Sequence, residues 1–84
     1  MNINITSRNF EITSAIKNYA ESKLSKLQRV LSDDSEADVI LNVEKYRHKV
    51  EVLIKANGLL IQAESITGEM YSSIDEVMEK QIDK

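Results

Sequence analysis

The chain has no cysteine, no proline and no tryptophan, and it holds one histidine and two glycines. Without cysteine there is no disulfide framework, no thiolate nucleophile and no zinc-finger spacing. That absence fits a reducing compartment. Without proline, and with glycine only at Gly58 and Gly68, no stretch reads as a linker. No low-complexity tract or internal repeat is present either, so the 84 residues are expected to form a single domain, 1–84. No apolar run approaches the roughly 18 residues needed to span a bilayer. The opening Met1-Asn2-Ile3-Asn4 lacks the basic and apolar regions of a signal peptide. A cytoplasmic protein with no membrane partner is the expectation.

Catalytic chemistry is equally short of material. His48 stands alone in a basic segment with no candidate nucleophile near it in sequence, and a hydrogen-bonded or exposed bystander is the better reading than a general base. A metal site needs several convergent ligands. The acidic run Asp33 to Asp38 has neither the glycine nor the closing glutamate of a calcium loop and reads as a solvated loop. No phosphate-cradling glycine motif occurs. The chain is expected not to be an enzyme and to use no cofactor, metal or small-molecule substrate.

What is present is clear periodicity. Ile3 and Ile5 alternate with polar residues over 2–6, a first strand. Thr13 or Ser14 can cap a helix through a side-chain oxygen. Ile16, Tyr19, Ala20, Leu24, Leu27, Val30 and Leu31 then fall at helical spacing, so the helix is predicted to end near Leu31, before the polar loop Ser32-Asp33-Asp34-Ser35. Val39, Leu41 and Val43 mark a second strand, and Val50, Val52, Ile54 and Ala56 a third. Asn57-Gly58 predicts a type I′ hairpin, which pairs Ala56 with Leu59, Ile54 with Ile61 and Val52 with Ala63. The opposite face, with Glu51, Leu53, Lys55, Leu60, Gln62 and Glu64, is mixed and partly wet. Met70, Ile74, Val77, Met78 and Ile82 predict a last helix that opens near Glu69, with that carboxylate in its first turn against the helix dipole. The order is β-α-β-β-β-α: an α+β fold, a four-stranded sheet with two helices on one face.

Net charge is −3, which by itself argues against nucleic acid. Distribution matters more than the sum. Lys17, Lys23, Lys26 and Arg29 face only Glu21 on the first helix, and residues 45–49 read Lys-Tyr-Arg-His-Lys, while acids gather at 33–38 and near the end. Lys23, Lys26 and Arg29 form a slanted ridge beside the apolar stripe, each step of three turning about 60° short of a full circle. Spacing alone fits an ordinary solvated flank as well as a phosphate-tracking ridge. Lys45, Arg47 and Lys49, interleaved with Tyr46 and His48, suit an RNA backbone with a base to stack on, or a hairpin whose charges blunt a sheet edge. Met70 should pack on the sheet, and Tyr71 should lie at its boundary or touch a partner.

Six segments carry a resemblance over essentially the whole chain. They are Asn4-Ile5-Thr6, Glu11-Ile12-Thr13, Lys23-Leu24-Ser25-Lys26-Leu27, Val43-Glu44-Lys45, Asn57-Gly58, and Glu69-Met70-Tyr71-Ser72-Ser73-Ile74-Asp75 followed by Lys80. In this order they resemble the ribosome hibernation-promoting factors, the protein Y or ribosome-associated inhibitor family, which includes the sigma-54 modulation proteins. The resemblance implies a translation factor of stress and stationary phase. It would plug the messenger channel of the small ribosomal subunit, overlap the messenger and transfer RNA sites, and bind ribosomal RNA phosphates through basic side chains. Position within the motifs carries over Lys23, Lys26 and Lys80 as RNA contacts. The charge pattern adds Arg8, Arg29, Lys45, Arg47, Lys49 and Lys84. Tyr46, His48 and Tyr71 are the candidates for stacking or boundary contact.

The chain also departs from the family pattern. Where members continue the last helix with a basic stretch, it reads Gln81-Ile82-Asp83-Lys84, and residues 64–84 hold six acids against two lysines. The expectation is a domain cut short at its C-terminus. Long members add a linker and a dimerisation domain that pairs two ribosomes, and neither is in this chain. Two rival readings remain open at this level. One is a double-stranded-RNA-binding module of similar topology, whose last helix opens with lysines rather than Gly68-Glu69-Met70. The other is a protein–protein or oligomerisation domain without an RNA role.

Overall fold

The computed structural model describes residues 2–26 and 34–82. It contains β1 (Asn2–Arg8), α1 (Ser14–Ser25), β2 (Glu36–Glu44), β3 (Arg47–Ala56), β4 (Leu59–Thr67) and α2 (Met70–Ile82). This is the predicted β-α-β-β-β-α order. The strands form one sheet in the order β1-β2-β3-β4. β1 runs parallel to β2, as a strand returning after a helical crossover can, and the two hairpins make the remaining pairs antiparallel.

Alternation decides which face is buried. Ala37, Val39 and Leu41 of β2 lie beside Ile54, Val52 and Val50 of β3, and all six are essentially inaccessible. Most are β-branched residues that suit a pleated surface. α2 covers this face with Met70, Ile74, Val77 and Met78, and α1 contributes Ala20 and Leu24. The predicted hairpin pairs Ala56–Leu59, Ile54–Ile61 and Val52–Ala63 are all present. Asn57 and Gly58 take φ of 54° and 77°, the two positive values that a type I′ turn requires.

The helix starts differ in one detail from expectation. Thr13 caps α1, its Oγ1 accepting from the Ile16 N–H at 3.1 Å. Glu69 sits one place before α2 rather than in its first turn. Its two carboxylate oxygens accept from the Tyr71 and Ser72 N–H groups at 2.9 and 3.1 Å, so a glutamate fills the cap position usually held by a shorter side chain. Those bonds, the Tyr71 N–H first, hold the Glu69 carboxyl below its ordinary value of 4.5. A lowered carboxylate stabilises the fold above the unfolded value and loses that contribution as pH falls through the folded one. Glu69→Gln is therefore expected to lower the melting temperature at pH 7. The gap from wild type should close on acidification below about pH 4, measured by circular dichroism, and a gap constant with pH would remove the charge from the cap.

The predicted helix end near Leu31, with Leu27, Val30 and Leu31 of its stripe, lies outside the described residues, as do Ser32 and Asp33 of the predicted loop. The acidic run read as a loop to Asp38 is not one throughout, because Glu36 and Asp38 belong to β2. The far side of the sheet carries no helix among the described residues. Its middle row places Glu51 directly opposite Glu64, a like-charge pair that would repel. Lys49 offsets this, with Nζ 3.0 Å from Glu51 and 3.5 Å from Glu64.

Candidate nucleic-acid interface

The topology sorts the basic residues into two groups. β1 and β4 end, the β2–β3 turn lies, and both helices begin at one end of the sheet. The register sets Arg8, Asn42, Lys49 and Ile66 in one row across the open face, with Glu44 and Arg47 as the next pair. Lys45 and Tyr46 form the turn itself. Arg8, Lys45, Arg47 and Lys49 thus meet at one corner. Lys23, Lys26 and Lys80 belong to the helices, Lys23 in the last turn of α1, Lys26 at its C-cap and Lys80 in the last turn of α2. Arg29 and Lys84 lie outside the described residues.

These cations are not equally available. Lys23 is drawn to Asp75 of α2, with Nζ 3.7 Å from Oδ1, and it stands 5.3 Å from the centre of the Tyr19 ring. Tyr19 donates its hydroxyl to the same Asp75 carboxylate. That bond, together with burial and the nearby negative charge, pushes the Tyr19 phenol up to about 12. Tyr71 closes the cluster, its ring edge-on to Tyr19 with centroids 5.0 Å apart. Tyr71 is accordingly a boundary residue that ties α2 to α1. Lys80 donates to the Glu64 carbonyl at 3.0 Å and lies 3.7 Å from Glu76. Lys49 is held by its two glutamates, and its pKa is raised, by the Glu51 hydrogen bond first. Among the described residues, Arg8, Lys26, Lys45 and Arg47 form no ion pair.

His48 separates from its neighbours. It pairs with Val43 and Thr67 on the helix-covered face, whereas Arg47 and Lys49 point to the open one. Its Nδ1 is buried without a hydrogen-bond partner. The backbone here is fixed by buried Ser73, whose hydroxyl donates to the His48 carbonyl at 2.5 Å and stands 2.7 Å from Thr67 Oγ1. This anchors the start of α2 to the start of β3 and so steadies the basic corner.

Some residues of the corner carry no signal in the charge pattern. Asn9, with φ of 65°, donates its side-chain amide to Asn42 Oδ1 at 2.8 Å and bridges the end of β1 to β2. Asparagine tolerates that left-handed backbone, which is the one cue available from sequence. Asn9, Val43, Glu44, Lys45, Tyr46 and Arg47 line a concavity of about 710 Å³. A smaller one of 180 Å³ lies beside it between Asn42, Glu44, Arg47, Lys49 and Ile66. A depression of about 610 Å³ at the other end of the sheet includes Asp34 and Glu36 against Lys55, a poor match for phosphate. The start of α2 is no anion site, because Glu69 occupies its N–H groups. This also removes the lysine-led helix start that a double-stranded-RNA-binding module would use. Among the described residues no group of acids and histidine could hold a metal ion, and no helix is long and apolar enough to cross a membrane.

Comparison with known proteins identifies the fold and the family. The ribosome hibernation promotion factor of Lactococcus lactis is 41% identical over 80 residues, which cover 92% of this chain and 43% of that protein. The ribosome hibernation promoting factor of Escherichia coli K12 is 34% identical, and the match covers 95% of this chain and 84% of that protein. The chain therefore spans less than half of one relative and most of the other. The crystal structure of the Thermus thermophilus protein Y N-terminal domain superposes with a TM-score of 0.87 at 32% identity, covering 96% of this chain and 91% of that one. A ribosomal subunit interface protein from Coxiella burnetii gives 0.86 at 26% identity, covering 96% and 89%. Residues 3–84 match the profile of the family described as sigma 54 modulation protein / S30EA ribosomal protein, and the chain belongs to that family.

Proposed function

We propose that this chain is a single ribosome-binding domain of a hibernation factor, not an enzyme, that acts in the cytoplasm on the small ribosomal subunit. The carrying observation is the likeness to the Escherichia coli hibernation promoting factor, which extends over nearly all of this chain and most of that protein. The mechanism is occlusion. A body whose Cα envelope measures 37 × 23 × 17 Å would exclude messenger and transfer RNA from any site that it fills. Phosphate contacts from basic side chains would hold it there, giving affinity and position rather than base specificity. A rigid sheet and two helices pinned together through Tyr19 and Asp75 suit that task, since nothing in the mechanism needs the domain to move. The dimerisation of two ribosomes by long family members would fall to a further domain outside this chain.

Co-sedimentation with purified small subunits across a salt series tests the proposal. If Arg8, Lys26, Lys45 and Arg47 each reach a phosphate, the log–log salt slope should be roughly −3. Absence of binding at low salt, both for this chain and for a version extended past Lys84, would overturn it.

A further inference from the structure

We propose that the β2–β3 turn is a receptor for one unpaired RNA nucleotide, whose base stacks on Tyr46 while Lys45 and Arg47 hold its phosphates. The inference rests on the ribosome-binding reading for its biological setting, though not for its chemistry. Three observations converge on it. The first is exposure: Tyr46 is 89% exposed, the most open of the large apolar side chains among the described residues. A ring standing in water at the tip of a two-residue turn contributes nothing to the core.

The second is the backbone. The two hairpins of this sheet are both closed by two residues. At Asn57-Gly58 the turn uses residues that accept positive φ at little cost. At the other end Lys45 takes φ of 53°, a region that a long unbranched side chain rarely enters and glycine enters freely. Strain of this kind concentrates where the side chain has work beyond folding. Lysine and tyrosine at this turn are worse turn formers and better RNA ligands than Asn-Gly.

The third is the surrounding chemistry. The 710 Å³ concavity beside the ring is large enough for a nucleotide and is lined by Asn9, Glu44, Lys45 and Arg47 as its polar groups. Neither cation has an ion-pair partner among the described residues. The bond from Asn9 to Asn42 uses one donor and one acceptor, which leaves the Asn9 amide oxygen, at the lining of the concavity, without a hydrogen bond among the described residues and able to accept from a base edge or a ribose hydroxyl. Two cations beside an open aromatic face are the recurring parts of single-strand recognition, because every base has a π-face. The platform is preorganised. Glu44 and Arg47 pair in the ladder on either side of the turn, and the Ser73 bond to the His48 carbonyl anchors the strand just beyond.

The nucleotide could belong to ribosomal RNA or to a free messenger-like strand, and the test separates the two. Nuclear magnetic resonance titration of the chain with a six-nucleotide unstructured RNA should shift the Tyr46 ring protons and the Lys45 and Arg47 amides. Tyr46→Ala should weaken binding about tenfold or more, and Tyr46→Phe, which keeps the face, should leave it within about twofold. The spectrum of each free variant shows whether it is folded. The same variants are then sedimented with messenger-free small subunits. Weakening of subunit binding by Tyr46→Ala supports the site and places the nucleotide in ribosomal RNA. Weakening with the oligonucleotide alone supports the site and places it in a free strand. Equal binding of wild type and Tyr46→Ala in both assays overturns the inference while the ribosome reading stands. Stacking of the oligonucleotide on Tyr46 without any subunit binding keeps the site and overturns the ribosome reading.

Discussion

Ile74→Ala should lower the melting temperature by about 10–30 °C, the largest stability loss expected of any single methyl-deleting change on α2. Ile74 is fully buried at the centre of the helix stripe, between Met70 and Met78, and it faces the valine-rich side of the sheet. Truncation removes its apolar transfer free energy and leaves a cavity, together about 2–5 kcal/mol. A domain of this size has only about 5–15 kcal/mol to lose. Leu59→Ala is the control of similar chemistry. Leu59 lies on the same face of the sheet but is 66% exposed, so its truncation should stay within about 0.5 kcal/mol of wild type. Burial, and not hydrophobicity as such, separates the two outcomes. Thermal melts of both variants that shifted equally would mean that α2 does not dock through Ile74.

The same stripe shows how much of the fold the sequence made legible. Met70, Ile74, Val77 and Met78 recur at helical spacing, and their burial follows from that spacing alone. The β3–β4 register was equally readable, because Asn57-Gly58 fixes a two-residue turn and every pair beyond it follows. The parallel register of β1 on β2 was not, since a crossover leaves no local residue that sets it. At the basic corner, alternation alone separates His48 from Arg47 and Lys49, because a strand turns successive side chains to opposite faces. Grouping all three by charge and aromaticity overlooked that rule. Availability of the cations was the least legible property. Asp75 meets Tyr19 across 56 residues of sequence and takes Lys23 with it, a pairing that no local pattern announces. The Glu64 carbonyl that receives Lys80 likewise belongs to an edge strand that α2 meets only in the folded state.

That pairing sharpens what charge reversal on α1 should do. Lys23→Glu with Lys26→Glu is expected to weaken small-subunit binding by about a hundredfold near physiological salt and to flatten the log–log slope by roughly 0.7–0.9 for each of the two that reaches a phosphate. The two positions do not act alike. Lys26 closes α1, is exposed and has no ion-pair partner among the described residues, so its reversal should reach binding without touching the fold. Lys23 must leave Asp75 to meet a phosphate, and a glutamate there sets two carboxylates side by side. The pair is partly exposed, so its loss costs at most about 1 kcal/mol of stability. Lys23→Gln separates the effects, since it removes the charge without creating repulsion. Asp75→Asn should move affinity the other way. It keeps an oxygen for the Tyr19 hydroxyl while freeing Lys23 and removing a negative charge that any phosphate on α1 would face. Tighter binding by Asp75→Asn, weaker binding by Lys23→Gln and an unchanged fold in both would place α1 on the RNA. If neither changes affinity or slope, Lys23 serves only to hold the helices together, and the contact surface is left to Lys26 and the corner at Arg8, Lys45 and Arg47.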